Sequence, residues 1–464
     1  MPEFNAQKLS EWCGGSWDPH PPMHISGVSN DTRSLRSGNI YVAVSGDRFD
    51  GHDYVNEAFV RGASASIVRS DWRAADGGKC LLRVSDPRKA LGDIARGYRR
   101  QLNPHIIGIT GSAGKTSVKE LTAHLLSAHI PTAKSRGNWN NDIGLPLSLL
   151  EMDASTSAGV FEVATNHPGE IASLCCILEP GWGVVTNIGA AHLGYFGSID
   201  AIADEKASLL RHLPAEGIAV LDCSDVYFTS LRDAAPDRIV SVSASGPADY
   251  EVRKTSAQGA VQIYERETET SQCIALTQVG DFHASNLAFA VAIARTFGMP
   301  WMDICDAVNS YVPLELRWQV EFRNGVRIVN DAYNANPLSM RAALHAFAQM
   351  EVPGRKWLVL GGMMELGTAE DHEHVSLGED VACGDWTQLI TVGKLGERIA
   401  HGAMRAGWSA DATLCCSNNV EAAQALRDLI EEGDAVLLKG SRAFRLEELV
   451  DAIVNEQKKQ ADLS

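Results

Sequence analysis

Residues 105–126 read HIIGITGSAGKTSVKELTAHLL. An apolar run (Ile106, Ile107, Ile109) leads into spaced glycines and Gly114-Lys115-Thr116, and a helix-like segment follows. That order suits an anion. Glycines let backbone N–H groups turn toward it, and the helix N-terminus adds a partial positive charge worth ~0.3–1 kcal/mol. The strict phosphate-loop pattern keeps four residues between its first glycine and Gly-Lys. Here Gly108 precedes Gly114 by six positions and Gly111 does so by three, so the strict pattern fails while its physical parts remain. The candidate nucleotide contacts are Gly111, Ser112, Ala113, Gly114, Lys115, Thr116 and Ser117. Lys115 can reach terminal phosphates, and the Thr116 hydroxyl can ligate Mg²⁺. The plain alternative is a glycine-rich turn carrying an exposed lysine. Motors, switches, kinases and ligases all use such a loop, so it specifies no reaction.

The rest of the chain narrows the choice. Its 464 residues suggest about three domains. With 45% apolar and 21% charged residues and no low-complexity tract, the composition is globular. No run of eighteen apolar residues occurs, so no membrane span is expected. The start, MPEFNAQKLSEW, lacks the regions of a secretory signal. The ten cysteines have no CxxC spacing and read as reduced thiols, so the expected location is cytoplasmic. A net charge of −17 without a Lys/Arg-dense segment argues against a nucleic-acid partner.

Strand-like and helix-like segments divide the chain into three α/β blocks. Residues 1–85 read as a mixed unit, with NIYVAVSG (39–46), ASIVRS and CLLRVS as strands and YVNEAFVRGA (54–63) as a helix. DPRKALGDIARGYRR (86–100) reads as a linking helix with Asp86 as N-cap and Pro87 in its first turn. Within 86–312, HIIGIT, GVFEVA, GWGVVTNIG and GIAVLDC alternate with helical segments, the pattern of a parallel sheet around a phosphate loop. In 313–464, RIVNDA, KWLVLGG, TQLITVG and DAVLLKG suggest a doubly wound, Rossmann-like domain.

Three further residues are chemically conspicuous. Glu162 interrupts an apolar strand and needs a cation or donors there; a metal ion beside the phosphates or a structural ion pair would serve. His192 follows a strand end, where open α/β sheets place ligands, and Lys206 lies on the amphipathic helix beyond. Taken singly, these two read equally well as a loop histidine and a solvated lysine.

The segments TGSAGKT, FEVATNHPGEI, TNIGAAHLGYFGS with its downstream lysine, and GDFHASN (280–286) together resemble the Mur ligase family of ATP-dependent amide-forming enzymes. The family's phosphate loop has the spacing seen here. The resemblance implies Mg²⁺ at two sites served by Thr116, Glu162, His192 and a carbamylated Lys206. It also implies His283 and Asn286 at the adenine, Asp331 at the ribose, and Arg317 reaching ATP from the opposite side, or else forming an interdomain salt bridge.

NDAYNANPLSMRAAL (330–344), LGGMMELG (360–367) and LLKGSRAFRLEE (437–448) resemble members that add D-alanyl-D-alanine to UDP-N-acetylmuramoyl-tripeptide. Tyr333, Asn334 and Asn336 would then form the dipeptide end. GNWNN (137–141) and GLP (144–146) match the substrate-contacting stretch, with Asn138, Asn140 and Asn141 toward sugar and phosphate oxygens. Ser29, Thr32 and Arg33, in a stretch resembling the UDP-substrate domain, are candidates for the uridine-diphosphate end and read equally as a surface turn. The family's default is a monomer. The chain departs from the family pattern at Asn330, where an acidic residue is common, and at Gly362, where Asp is. Two other readings stay open: an amide ligase with a different acceptor, and a nucleotide-operated switch that joins nothing.

Overall fold

The structure is a computed structural model that describes residues 2–46, 49–73, 78–253, 255, 259–275 and 280–454. Three sheets follow one another along the chain. The first runs, in spatial order, Ser16–Asp18, Leu81–Val84, Ala65–Arg69, Ile40–Val42 and Val28–Ser29. All its pairings are parallel except that of Ser16–Asp18. The stretch 39–46 splits where the single predicted strand would continue. Ile40–Val42 stays in the sheet, whereas Ser45–Gly46 folds back onto Phe49–Asp50. Gly51 permits this return, because a Cβ there would stand 2.5 Å from the Val44 carbonyl oxygen. Asp47 and Arg48 of the motif around it lie outside the described residues.

The linking helix spans Pro87–Leu102, and the Asp86 side chain accepts from the backbone N–H groups of Arg88 and Lys89 as expected of an N-cap. It ends at Asn103, which is left-handed at φ 50°. Its buried face (Ala90, Leu91, Ile94, Ala95) joins one continuous core with residues of both the first and the second sheet.

The second sheet has nine strands, of which the seven from Thr132–Lys134 to Tyr250–Arg253 in spatial order pair in parallel. Ala260–Glu265 and Thr270–Ala275 extend its far edge antiparallel. Along Ala260–Glu265 buried and half-buried residues alternate, the period of a sheet packed on one face, while Thr270–Ala275 at the outer edge is mostly exposed. The phosphate-loop strand His105–Thr110 is central, between Ala158–Glu162 and Trp182–Val185. The third sheet has six strands. Gln319–Arg323 is an antiparallel edge, and the other five, beginning with Val326–Asp331, are parallel, giving the doubly wound arrangement. Among the described residues, no helix is long and apolar enough to cross a membrane.

Helices Glu370–Ala382 and Gly393–Arg405 cross on glycines. A Cβ on Gly402 would lie 2.1 Å from the Val375 carbonyl oxygen, and one on Gly378 would lie 2.1 Å from that of Ile399. Gly402→Ala must therefore force the helices apart, at a cost of about 1–3 kcal/mol. We expect its unfolding midpoint in urea to fall accordingly; an unchanged midpoint would mean that the crossing relaxes freely.

Candidate active site

Register decides what meets at the centre. Thr110 pairs with Val185, and Ile109 pairs with Glu162, so three adjacent parallel strands end together. The glycine loop, Glu162 and the Thr186–His192 segment therefore emerge at one edge, where open α/β sheets bind ligands. A cavity of about 1050 Å³ lies there, walled by the second sheet on one side and by Arg317, Trp318, Asp331 and Tyr333–Asn336 on the other.

The loop is held from below. Gly111 has φ 146°, and a Cβ on it would stand 1.9 Å from the Thr186 hydroxyl oxygen. The Thr186 hydroxyl donates to the Ala113 carbonyl at 2.6 Å. Asn187 grips the same residue twice, accepting from its N–H at 2.8 Å and donating to its carbonyl at 3.1 Å. The Ser112 N–H donates to the Asn187 carbonyl at 3.0 Å, and the Ser112 hydroxyl is bonded to the backbone of Gly189. With those amides engaged, the anion-facing donors are the N–H groups of the first turn of helix Lys115–Ser127, which have no acceptor within a helix. Ser117 lines the cavity from that turn. The Lys115 ammonium donates to the Gly111 carbonyl at 2.8 Å, and burial lowers its pKa against the raising effect of Glu162. Asn286 closes the loop's other side, its amide oxygen 2.6 Å from where a Gly114 Cβ would be.

Glu162 is buried, 3% exposed, and both its oxygens are engaged. One accepts from the Thr116 hydroxyl at 2.8 Å and the other from the Asn140 side chain at 2.9 Å. Arg317 donates to the same Thr116 oxygen at 3.3 Å while its guanidinium lies over the Tyr333 ring, 3.9 Å from the centroid. Its neighbours Leu316 and Trp318 have φ of 61° and 52°, uncommon for residues with side chains. The chain is thus wrung on both sides of Arg317.

Lys206 is 2% exposed on helix Ile199–Arg211. Burial pushes its pKa well below the ordinary lysine value; Lys115 adds to this, while Glu205 and Glu162 oppose it. Glu205 accepts from the N–H groups of Gly169 and Ile171, pinning this helix to the segment after Glu162. His192 is held below its usual pKa by burial, opposed by Glu365, with Lys115 and Lys206 lowering it further.

Could these residues hold Mg²⁺? Among the described residues no three His, Cys, Asp or Glu side chains converge. Mg²⁺ is ordinarily bound by one or two protein oxygens plus phosphates and water, so the Thr116–Glu162 pair fits one ion. A buried lysine of depressed pKa beside a second cation fits conversion to a carbamate, which would replace repulsion with an oxygen donor for a second.

His283 is buried, and burial, helped by Lys439, pushes its pKa down to about 3, so its ring is neutral. It lines the cavity, and its Nε2 has no hydrogen-bond partner among the described residues. The ring of Trp318, which no sequence signal singled out, packs edge-on at 5.3 Å from it, and the Trp318 backbone N–H donates to Asp331 at 3.2 Å. The other Asp331 oxygen pairs with buried Lys439 at 2.5 Å. Lys439 lies in the quoted LLKGSRAF stretch but gave no separate signal.

Asn336 caps helix Pro337–Gln349 and donates to the Ser112 carbonyl at 3.1 Å, so the third sheet's loop touches the phosphate loop directly. Tyr333 and Asn334 line the same wall. Asn138 and Asn141 line the opposite end; the Asn141 side chain accepts from the Gly144 N–H at 2.8 Å. Fully buried Lys119 fixes this GNWNN loop through the Ser135 and Gly137 carbonyls, each at 2.9 Å. At Gly362 a Cβ would lie 2.3 Å from that of Leu395, so no side chain fits and the departure from the family pattern has a packing cause.

Ser29, Thr32 and Arg33 are not brought to this cavity. The Ser29 hydroxyl bonds the backbone of Asp31, Thr32 donates to Glu57, and exposed Arg33 pairs with Asp31.

The grip of Thr186 on the loop makes a direct prediction. Gly111→Ala inserts a methyl group where the hydroxyl stands, and overpacking of this kind costs about 1–3 kcal/mol. Affinity for a fluorescent ATP analogue should fall by roughly tenfold or more, since ~1.4 kcal/mol is tenfold. Unchanged affinity would mean the loop does not carry the nucleotide.

The fold has close counterparts. Models of the Mur ligase family match the chain three times: its catalytic domain over residues 24–99, the middle domain over 109–294 and the glutamate ligase domain over 316–442. The UDP-N-acetylmuramoyl-tripeptide–D-alanyl-D-alanine ligase of Bacillus subtilis is 31% identical over 432 residues, 93% of either chain. The crystal structure of MurF from Acinetobacter baumannii superimposes with a TM-score of 0.89 at 30% identity, covering 98% of this chain and 99% of that one. MurF ligase from Thermotoga maritima, solved in complex with ADP, gives 0.81 at 28% identity over 94% and 98%. Matched along nearly its whole length, the chain belongs to the Mur ligase family.

Proposed function

We propose that this protein joins D-alanyl-D-alanine to the terminal carboxylate of UDP-N-acetylmuramoyl-tripeptide, with ATP as the activating substrate. The products are the UDP-linked pentapeptide, ADP and phosphate. The observation that carries the reading is the single cavity in which the phosphate loop and the Tyr333–Asn336 wall face each other, with Asn336 bonded to Ser112. A nucleotide site and an acceptor site so close suit transfer through a short-lived intermediate. The Bacillus relative bears the name of this activity, and the Thermotoga relative was solved with ADP.

A carboxylate does not condense with an amine in water, because its oxygen is a poor leaving group. Transfer of the γ-phosphoryl group to the tripeptide carboxylate makes an acyl phosphate, the dipeptide amine attacks its carbonyl carbon, and phosphate departs. Alignment and charge neutralisation do most of the work in such transfers. Lys115 and the first-turn amides of its helix hold the phosphates. Arg317 brings a second cation from the third sheet, already within hydrogen-bond distance of Thr116. Thr116 and Glu162 would hold one Mg²⁺, and His192 and carbamylated Lys206 a second; the metal supplies neutralisation of phosphate charge. His283 and Asn286 receive the adenine and Asp331 the ribose, while Tyr333, Asn334 and Asn336 receive the dipeptide. The docked wall keeps water from the acyl phosphate.

Residues 1–85 are proposed for the UDP end, 86–312 for ATP and 313–464 for the acceptor. Asn138, Asn140 and Asn141 face the nucleotide-sugar substrate. At the UDP end, the turn of Ser29 and Thr32 presents Arg33, whose side chain is 84% exposed and free to exchange Asp31 for a diphosphate. A monomer acting in the cytoplasm, where UDP-linked precursors and ATP occur, completes the proposal.

Purified protein given ATP, the tripeptide nucleotide and a panel of acceptors should yield one new amide by mass spectrometry, with D-alanyl-D-alanine only. Product with a single amino acid instead, or ATP consumption without any amide, rejects the assignment. Lys206→Ala should abolish amide formation and regain part of it when formate or acetate is added. Full activity of the untreated variant would remove the carbamate from the mechanism.

A further inference from the structure

Two turns from different sheets meet back to back beside the cavity. One is His192–Gly194, beyond strand Trp182–Val185 of the second sheet. The other is Glu365–Gly367, beyond strand Lys356–Leu360 of the third. The Gly194 N–H donates to the Glu365 carbonyl at 2.9 Å. A Cβ on Gly367 would stand 2.6 Å from the Gly194 Cα, so the two backbones touch with no side chain between them. Across this contact the Glu365 carboxylate reaches His192 Nδ1 at 2.5 Å.

A carboxylate only accepts, so Nδ1 carries the proton and Nε2 keeps its lone pair. That is the tautomer in which an imidazole ligates metal, and carboxylate partners of this kind orient such rings. The Glu365 turn is itself firmly seated. The Met364 N–H donates to the Ser441 hydroxyl at 3.0 Å and the Met363 N–H to His374 at 2.8 Å. Glu365 also adopts φ 66°, a conformation that glycine or asparagine would take more readily. Glycine would relieve that strain and lose the carboxylate.

We propose that Glu365 is a positioning residue which, reaching from the third sheet, fixes His192 in its Nδ1–H tautomer and so completes the metal-binding face only when the two domains are docked. This rests on the assignment of His192 to a metal site in the proposed function. The acceptor-side domain would then license activation of the carboxylate, and no acyl phosphate would form in an open cleft where water could consume it.

The test uses the full chain, Glu365→Asn (shorter, and tolerant of the left-handed backbone) and Glu365→Gln (same length, uncharged). Mn²⁺ binding is followed by electron paramagnetic resonance with a non-hydrolysable ATP analogue and the tripeptide nucleotide present. Loss of such a partner typically weakens metal binding 10–100-fold. We expect Glu365→Asn to lose about tenfold or more at one Mn²⁺ site and Glu365→Gln to lose less, with metal-free affinity for the analogue unchanged. Wild-type Mn²⁺ affinity in Glu365→Asn overturns the proposal. If circular dichroism shows that variant unfolded, Glu365→Gly, which relieves the backbone strain and removes the acceptor, decides, and wild-type affinity there overturns it equally. Mn²⁺ loss in the variants, with no amide from the wild type in the acceptor panel, rejects the proposed reaction and supports the role of Glu365. A wild type that binds no Mn²⁺ with the analogue overturns both.

Discussion

A buried carboxylate is costly unless both its oxygens find partners, and Glu162 is the buried charge around which this cleft is arranged. Its partners come from two other elements: Thr116 from the helix after the glycine loop, and Asn140 from the GNWNN loop. Lys119, one turn along the same helix, holds that loop by two carbonyls. Strand, helix and loop are therefore set relative to one another before any ligand arrives. Removing either donor would leave a carboxylate oxygen unpaired and buried, a loss of about 1–3 kcal/mol or more for a charged group. Such a site is preorganised, which is what phosphoryl transfer needs, because alignment supplies much of its acceleration.

The third sheet joins this arrangement at a few points of high information. Arg317 meets Thr116, Asn336 meets Ser112, Trp318 packs on His283, and Glu365 meets His192. Each contact ends on a residue proposed for nucleotide or metal. The proposed acceptor wall is thus coupled to the second sheet through the residues proposed for nucleotide and metal. In the proposed reaction this ordering protects an intermediate that water destroys.

Much of the fold can be read from the chain because its strands are short apolar runs that end at turn residues. Asp86 and Pro87 mark the linking helix by local chemistry alone, and HIIGIT followed by glycines marks the loop. The antiparallel edge at 260–275 is less legible, because no motif marks it and Thr270–Ala275 is mostly exposed and gains its strand form from pairing with Ala260–Glu265. Glu162 stands out as an acid in an apolar strand. Lys439 does not, because nothing local shows that Asp331, over a hundred positions earlier, will neutralise it. Glu365 is likewise an ordinary acid in a loop until the turn at Gly194 is set against it. Asn140 is legible as an amide beside the loop, but its bond to Glu162 is not, because that pairing depends on how the GNWNN loop meets the strand. Ser29 and Thr32 read equally as the uridine-diphosphate end and as a surface turn, and the partners of their hydroxyls, Asp31 and Glu57, are set by the fold. Short-range chemistry is legible in sequence; pairings across sheets are decided by docking and are not.

The central claim is that a carboxylate is phosphorylated and then passed to an amine within one cavity. It is tested most directly by following oxygen. The tripeptide nucleotide is prepared with ¹⁸O in its terminal carboxylate and turned over with unlabelled ATP and D-alanyl-D-alanine, and the released phosphate is weighed by mass spectrometry. One ¹⁸O atom per phosphate, matched to each amide formed, is the predicted result. Unlabelled phosphate accompanying the same amide would contradict an acyl phosphate and with it the reaction proposed for this cleft.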